Sequence, residues 1–134
     1  MINMDTHQSW LIASNPAKYN IFDAFDANRV ITWGLTVNTG IGDIVYIYVS
    51  APDSRMMYRC VVDRVSVPVD ERLGAEYWVE PFNPNRKLVN LRLISRLNND
   101  ELRLKNLLEK NLMSSAPQGP RRVSDNLDEF LSRF

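Results

Sequence analysis

Apolar and polar residues alternate along several short segments of the chain, a pattern typical of half-buried β-strands. The clearest segment follows the turn Gly42-Asp43, where one predicted strand face is aliphatic and the other carries Tyr46, Tyr48 and Ser50. We therefore expect Tyr48 and Ser50 to share a face. Five further strands are predicted over residues 10–14, 30–33, 57–67, 77–79 and 89–93.

Apolar residues recur at helical spacing in three other places. Asn20 and Asp23 predict a capped start for a short helix that ends at Ala27. Regularly spaced leucines predict an amphipathic helix over residues 100–113, and Ser124 is expected to cap a last helix that docks the chain end. Since strands and helices do not alternate, the pattern favours an α+β fold or a small closed barrel with about three peripheral helices.

Composition narrows the class of protein. The 134 residues suit one domain, and we expect a disordered leader over residues 1–8 and a single domain over 9–134. Sixteen basic and sixteen acidic residues cancel, so any binding of nucleic acid must rest on local charge. The single cysteine excludes an intrachain disulfide, and no apolar run reaches the ~18–20 residues of a membrane span. A cytoplasmic protein without membrane contact is expected.

Residues suited to catalysis are sparse. The single histidine, His7, falls in the expected leader, and Cys60 lies in a strand-like run that favours burial. Neighbouring acidic residues occur at turns and helix surfaces, and no glycine-rich phosphate loop occurs. We expect no enzymatic activity, no metal site and no cofactor.

Three sequence features resemble one known domain. They are Trp-Leu-Ile-Ala-Ser-Asn-Pro at 10–16, Trp33, and the run from Gly42 to Ser50, and their order and spacing resemble those of the EVE domain. That domain belongs to the PUA-like superfamily, which includes YTH and ASCH domains, and the likeness covers Trp10 to Phe134. It implies a PUA-like pseudobarrel of five to six strands whose open mouth accepts a base flipped out of a nucleic acid, here modified cytosine such as 5-methylcytosine in DNA.

The resemblance and the two-faced strand together suggest a base pocket. Aromatic rings stack on a base with about 1–3 kcal/mol, and amide or hydroxyl groups can satisfy its polar edge. Loop arginines are the natural partners of phosphates. We expect a pocket of Ser14, Asn15, Trp33, Asn38, Tyr48, Ser50 and Trp78, with phosphate contacts from Arg55, Arg121 and Arg122.

Other interpretations stay open at this level. Trp33 also suits an ordinary core position, Asn15 a turn before proline, and the loop arginines a solvated surface. The segment after Trp33 lacks the arginine that the family usually has there, and Asn38 is the single residue of this segment that matches the family's pattern. The alternatives are an RNA-binding PUA-like module of the ASCH or YTH type, or the sensing domain of a restriction system with a fused or partner nuclease. The oligomeric state stays open.

Overall fold

The computed structural model describes residues 7–134, so most of the expected leader lies outside the described residues. Gln8, at the end of that leader, is hydrogen-bonded to the domain. Its N–H donates to the Asp43 carboxylate at 3.0 Å, and its carbonyl accepts from the Ile44 N–H at 2.9 Å.

A single mixed sheet forms the centre of the described chain, and it curls into a half-barrel. The strand order is β2-β5-β4-β3-β1-β6, with β1 and β3 parallel and every other pair antiparallel. The six strands are β1 (Ser9–Ser14), β2 (Val30–Leu35), β3 (Ile44–Val49), β4 (Arg55–Arg64), β5 (Lys87–Arg96) and β6 (Arg121–Arg122).

Three short helices flank this sheet within residues 7–134: α1 (Ile21–Ala27), α2 (Leu104–Glu109) and α3 (Asp125–Leu131). The Asn20 side chain accepts from the Asp23 N–H and caps α1, and the Ser124 hydroxyl accepts from the Leu127 N–H and caps α3. The predicted α+β pseudobarrel with about three peripheral helices is confirmed.

Apolar side chains pack on both faces of the sheet. Strand β3 shows the division, because Val45, Ile47 and Val49 join a core that includes α1, whereas Tyr46 and Tyr48 join a core that includes α2 and α3. The two-faced pattern of this strand was predicted correctly, since side chains alternate across the pleat. Both faces are covered, so Tyr46 and Tyr48 are packed rather than exposed.

The structure corrects two element predictions and adds one strand. Residues 77–79 do not form a strand: a 3₁₀ turn over Ala75–Tyr77 is followed by one antiparallel bridge between Trp78 and Tyr19. The helix predicted over 100–113 is a 3₁₀ turn at Asp100–Leu102 followed by the shorter α2. The two-residue strand β6 was not predicted, because so short a strand has no alternation to detect.

No helix within residues 7–134 has both the length and the apolar character needed to cross a membrane.

Candidate functional site

A cavity of about 780 Å³ opens beside the carboxyl end of β1. Its wall includes the strand segment Ile12–Ser14, the end of β2 at Trp33 and Gly34, and Ser50 directly after β3. The loop around Trp78 and the segment 118–120 complete it. Sites for small organic ligands have volumes of about 300–1,000 Å³, so the cavity has room for a single heterocycle.

Three aromatic rings form one side of this cavity. Tyr19 is buried and meets Trp33 edge to face with ring centroids 5.1 Å apart, and it meets Trp78 in the same manner at 4.8 Å. Trp33 and Trp78 stack on each other at 5.8 Å with planes inclined by 29°. Trp33 therefore belongs to the core and also lines the cavity.

Tyr19 is fixed by a buried hydrogen bond from its hydroxyl to the carbonyl of Gly74 at 2.9 Å. Burial, followed by the nearby Glu76 carboxylate, raises the pKa of Tyr19 well above its ordinary value, so the phenol stays neutral and donates. Gly74 adopts φ of 69°, and a β-carbon there would lie 2.8 Å from the Tyr19 oxygen. Glycine is thus required where the chain turns toward Trp78.

Ser14, the last residue of β1, places a buried hydroxyl on the cavity wall. The residue is 1% exposed, and within residues 7–134 its Oγ has no hydrogen-bond partner. A buried polar group without a partner costs about 1–3 kcal/mol. A bound molecule or water that hydrogen-bonds to this hydroxyl would recover that cost. Ser50 lies beside it, because the Ser50 N–H donates to the Ser14 carbonyl at 3.0 Å.

Asn15 lies at the exposed rim of the cavity. Its Oδ1 accepts from the Ala17 N–H at 2.9 Å, the turn-forming bond that is common for asparagine before proline. The carboxamide oxygen is therefore engaged by the chain itself. Asn15 joins Ser14, Trp33, Ser50 and Trp78 at the cavity, so these five predicted pocket residues are brought together.

Two predicted pocket residues lie elsewhere. Tyr48 is packed with Leu11, Tyr46 and Met56 in the core on the other face of the sheet. The expectation that Tyr48 reaches the pocket together with Ser50 is wrong, because the Tyr48 side chain is buried in this core whereas Ser50, directly after the end of β3, lines the cavity. Asn38 does not line the cavity, and its Oδ1 accepts from the Lys87 ammonium at the surface.

Arg55 does not line the cavity. Its side chain is only 14% exposed, and one guanidinium nitrogen contacts Asn98 at 3.2 Å and Asp100 at 3.3 Å. The carboxylate of Asp100 neutralises this guanidinium, and Asp100 is remote in sequence. Arg55 therefore joins two parts of the chain and is not a free cation beside the pocket.

Arg121 and Arg122 form β6 rather than a loop, paired with Leu11 and Trp10 of β1. The guanidinium of Arg122 lies 5.6 Å from the centroid of the Trp10 ring. Neither arginine lines the cavity, whereas the preceding residues 118–120 do. The structure thus brings none of the three predicted phosphate-contact residues to the site.

Other residues at the cavity are not among the pocket residues expected from the sequence, and Arg86, next to Lys87, is only a weaker candidate for phosphate contact there. Among the described residues that line it, the charged ones are Lys18, Glu80 and Arg86. Phe82 extends the aromatic wall, with its ring 6.3 Å from that of Trp78. The sequence signal was the loop over 80–86, which combines an aromatic residue and a cation with the prolines and asparagines of an exposed turn.

No protein-family model matches the sequence, and no curated protein does. Solved structures are similar in fold. A hypothetical protein from Leishmania major superposes with a TM-score of 0.67 at 18% identity, over 98% of this chain and 96% of that one. ASCH from Zymomonas mobilis gives 0.59 at 11% identity, over 95% of each chain.

Human THYN1, solved in complex with DNA that contains 5-methylcytosine, gives a TM-score of 0.65 at 12% identity, over 92% of this chain and 95% of that one. The chain has the PUA-like fold. Sequence identities this low establish a shared fold and not a shared function, so a function for this chain rests on the cavity itself.

Proposed function

We propose that this PUA-like chain is an EVE-type nucleic-acid-binding module that takes one modified base, in the first place 5-methylcytosine of DNA, into the cavity. The observation that carries the proposal is the buried hydroxyl of Ser14, which has no hydrogen-bond partner among residues 7–134 and lies on the wall of a cavity with aromatic residues. Such a site offers a flat apolar surface and a polar contact, the two requirements of a heterocycle with a polar edge.

The packing of the two tryptophans restricts how a base binds. A base between two rings needs them about 7 Å apart, twice the distance of ordinary carbon contact, whereas the Trp33 and Trp78 centroids are separated by 5.8 Å. The base therefore stacks on the cavity side of this pair rather than between its members. This arrangement needs no movement of Trp33, which belongs to the core.

The polar edge of the base would meet the strand ends. A serine hydroxyl both donates and accepts, so Ser14 and Ser50 suit either an exocyclic amine or a ring carbonyl. A base reaches this depth only when it leaves its stack, which costs a few kcal/mol and is least costly for a base that is already weakly paired. The fold of THYN1, solved with methylated DNA, supports DNA as the first ligand to test.

We further propose that the module binds without catalysing a reaction. Among described residues, histidine and cysteine are not part of the cavity wall, and its carboxylate, Glu80, is paired with Lys18 at 3.8 Å. Stacking and hydrogen bonding remain as the chemistry of the site.

The test is a fluorescence-anisotropy titration against labelled duplexes that differ at one central base: cytosine, 5-methylcytosine or 5-hydroxymethylcytosine. A matched RNA oligonucleotide is included. We expect the tightest binding for a modified duplex, and 2-aminopurine next to the modified base should brighten as stacking is lost. Equal affinity for all duplexes would contradict recognition of a modification. Preference for RNA would favour the ASCH-like or YTH-like alternative.

A further inference from the structure

We infer that Arg86, held across Gly34 at the cavity, binds the backbone phosphate beside the inserted base. This inference rests on the proposed function and adds the residue that anchors the nucleic-acid backbone. Arg55, Arg121 and Arg122 are not at the cavity, so the site needs its phosphate contact from another cation.

The charges on the cavity wall support Arg86 as the phosphate contact. Lys18, Glu80 and Arg86 are the charged residues among the described residues of the wall, and Lys18 is paired with Glu80. Arg86 has no ion pair or side-chain hydrogen bond within residues 7–134. Counted over the described residues of its wall, the cavity therefore has one positive charge in excess, and in a chain without net charge the Arg86 guanidinium carries it.

The position of Arg86 depends on the glycine beneath it. A β-carbon at Gly34 would lie 2.7 Å from Cβ and 3.1 Å from Cγ of Arg86, closer than carbon atoms pack. The start of the arginine side chain thus lies directly on the backbone of β2. Because the backbone of Arg86 fixes the position of its Cβ, side-chain rotation cannot relieve the 2.7 Å contact, and a larger residue at 34 would displace the arginine.

The loop before Arg86 holds it in this place. The Arg86 N–H donates to the Asn83 carbonyl at 3.5 Å, and the Asn85 N–H donates to the Asn83 side-chain oxygen at 2.9 Å. Lys18 and Glu80 pair at the other end of this loop. There the Glu80 N–H donates to the carbonyl of Lys18, in the segment that follows β1, at 3.2 Å. A phosphate is therefore expected on the Arg86 side, away from the carboxylate. Its oxygens match the guanidinium fork.

The experiment measures binding of a short duplex with one central 5-methylcytosine across a salt series. For Arg86→Gln we expect about tenfold weaker binding at low salt, and a plot of log affinity against log salt that is less steep by about 0.9. Arg86→Lys should retain the slope but bind less tightly, because an ammonium lacks the fork. Lys105→Gln, which removes an exposed charge on α2, is the matched control and should leave affinity and slope unchanged.

Gly34→Ala tests the placement without a change in charge. We expect Gly34→Ala to reduce the slope of log affinity against log salt as Arg86→Gln does. In the double variant Gly34→Ala/Arg86→Gln the slope should be no smaller than in Arg86→Gln alone. An unchanged slope in Arg86→Gln, with wild-type protein binding the duplex, would overturn this inference and leave the proposed function standing. Failure of the wild-type protein to bind any of the oligonucleotides would instead overturn the proposed function.

Discussion

Trp33 and Trp78 stack with their ring centroids 5.8 Å apart and their planes inclined by 29°. One ring belongs to strand β2 and the core, and the other to a half-buried loop. The pair therefore joins a core strand to a loop at the cavity, and the half-buried loop residue, Trp78, can be removed with less damage to the fold than Trp33.

Trp78→Ala is expected to weaken binding of methylated DNA by about 1–3 kcal/mol, the usual contribution of one base stacked on an aromatic ring. Anisotropy gives the affinity, and circular dichroism checks the fold. The neighbouring variant Val79→Ala is the control, because Val79 is 67% exposed and does not line the cavity. If Trp78→Ala bound as tightly as wild type, the aromatic wall would not contact the base.

Ser14→Ala should separate stability from binding. Its hydroxyl is buried without a partner among the described residues, so its removal should leave the free energy of unfolding unchanged or raise it by up to about 1 kcal/mol. Affinity for the modified base should fall because the edge contact is lost. Urea unfolding and anisotropy on the same preparation measure both quantities.

Thr32→Val is the matched contrast to Ser14→Ala. The Thr32 hydroxyl is buried but donates to Asn90 at 2.6 Å and accepts from the Leu73 N–H at 2.8 Å. Its removal should lower the free energy of unfolding by about 1–3 kcal/mol. A large loss of stability in Ser14→Ala would show that the Ser14 hydroxyl is engaged within the protein, contrary to the proposal.

Asp43 is predicted to make stability depend on pH in acid. Burial acts to raise the pKa of this carboxyl, but hydrogen bonds from the Gly40 and Gln8 N–H groups and the Trp10 indole outweigh it, so the pKa lies below its ordinary value. The carboxylate thus contributes stability above about pH 4, and this contribution is lost as the pH falls through the folded-state pKa.

Asp43→Asn should therefore lower the free energy of unfolding at pH 7 by about 1–3 kcal/mol and flatten its decline in acid. Urea unfolding of both proteins across an acid pH series measures the difference. Glu109→Gln, which replaces an exposed carboxylate on α2, should follow the wild-type curve. Parallel curves for Asp43→Asn and wild type would contradict this assignment.

Arg59 is predicted to hold the last helix on the sheet. Its guanidinium donates to the Leu131 carbonyl at 2.6 Å and to the Ser95 hydroxyl at 3.2 Å. Arg59→Met keeps the apolar stem but loses these bonds, so stability should fall by about 1–3 kcal/mol and amides of α3 should exchange faster. Arg133→Met is the control, since Arg133 is exposed. Unchanged exchange in Arg59→Met would contradict this role.

The sequence predicted what depends on local pattern. Alternation in β3 assigned Val45 and Tyr46 to opposite faces correctly, because the strand period needs no distant information. Alternation does not show where the strand ends, so Tyr48 was wrongly expected at the pocket together with Ser50. Trp78 was expected at the pocket and lines the cavity, although a turn rather than a strand places it there.

Charged residues were the least predictable part of the site. Arg55 was chosen for its turn position, but Asp100 pairs with it from a distant part of the chain. Arg86 was only a weaker candidate from the sequence, because the glycine that supports it lies fifty-two positions earlier, on strand β2. Pairing and proximity of this kind depend on the tertiary fold, which neither spacing nor composition reveals.

The most direct test of the cavity uses the three tryptophan indole N–H signals in a nitrogen–proton NMR spectrum. Trp33 and Trp78 line the cavity, whereas the Trp10 indole donates to Asp43 at 2.9 Å outside it. On addition of a duplex with one 5-methylcytosine, we predict that the Trp33 and Trp78 signals shift and the Trp10 signal stays. Binding seen by anisotropy with both cavity signals unchanged would contradict the account.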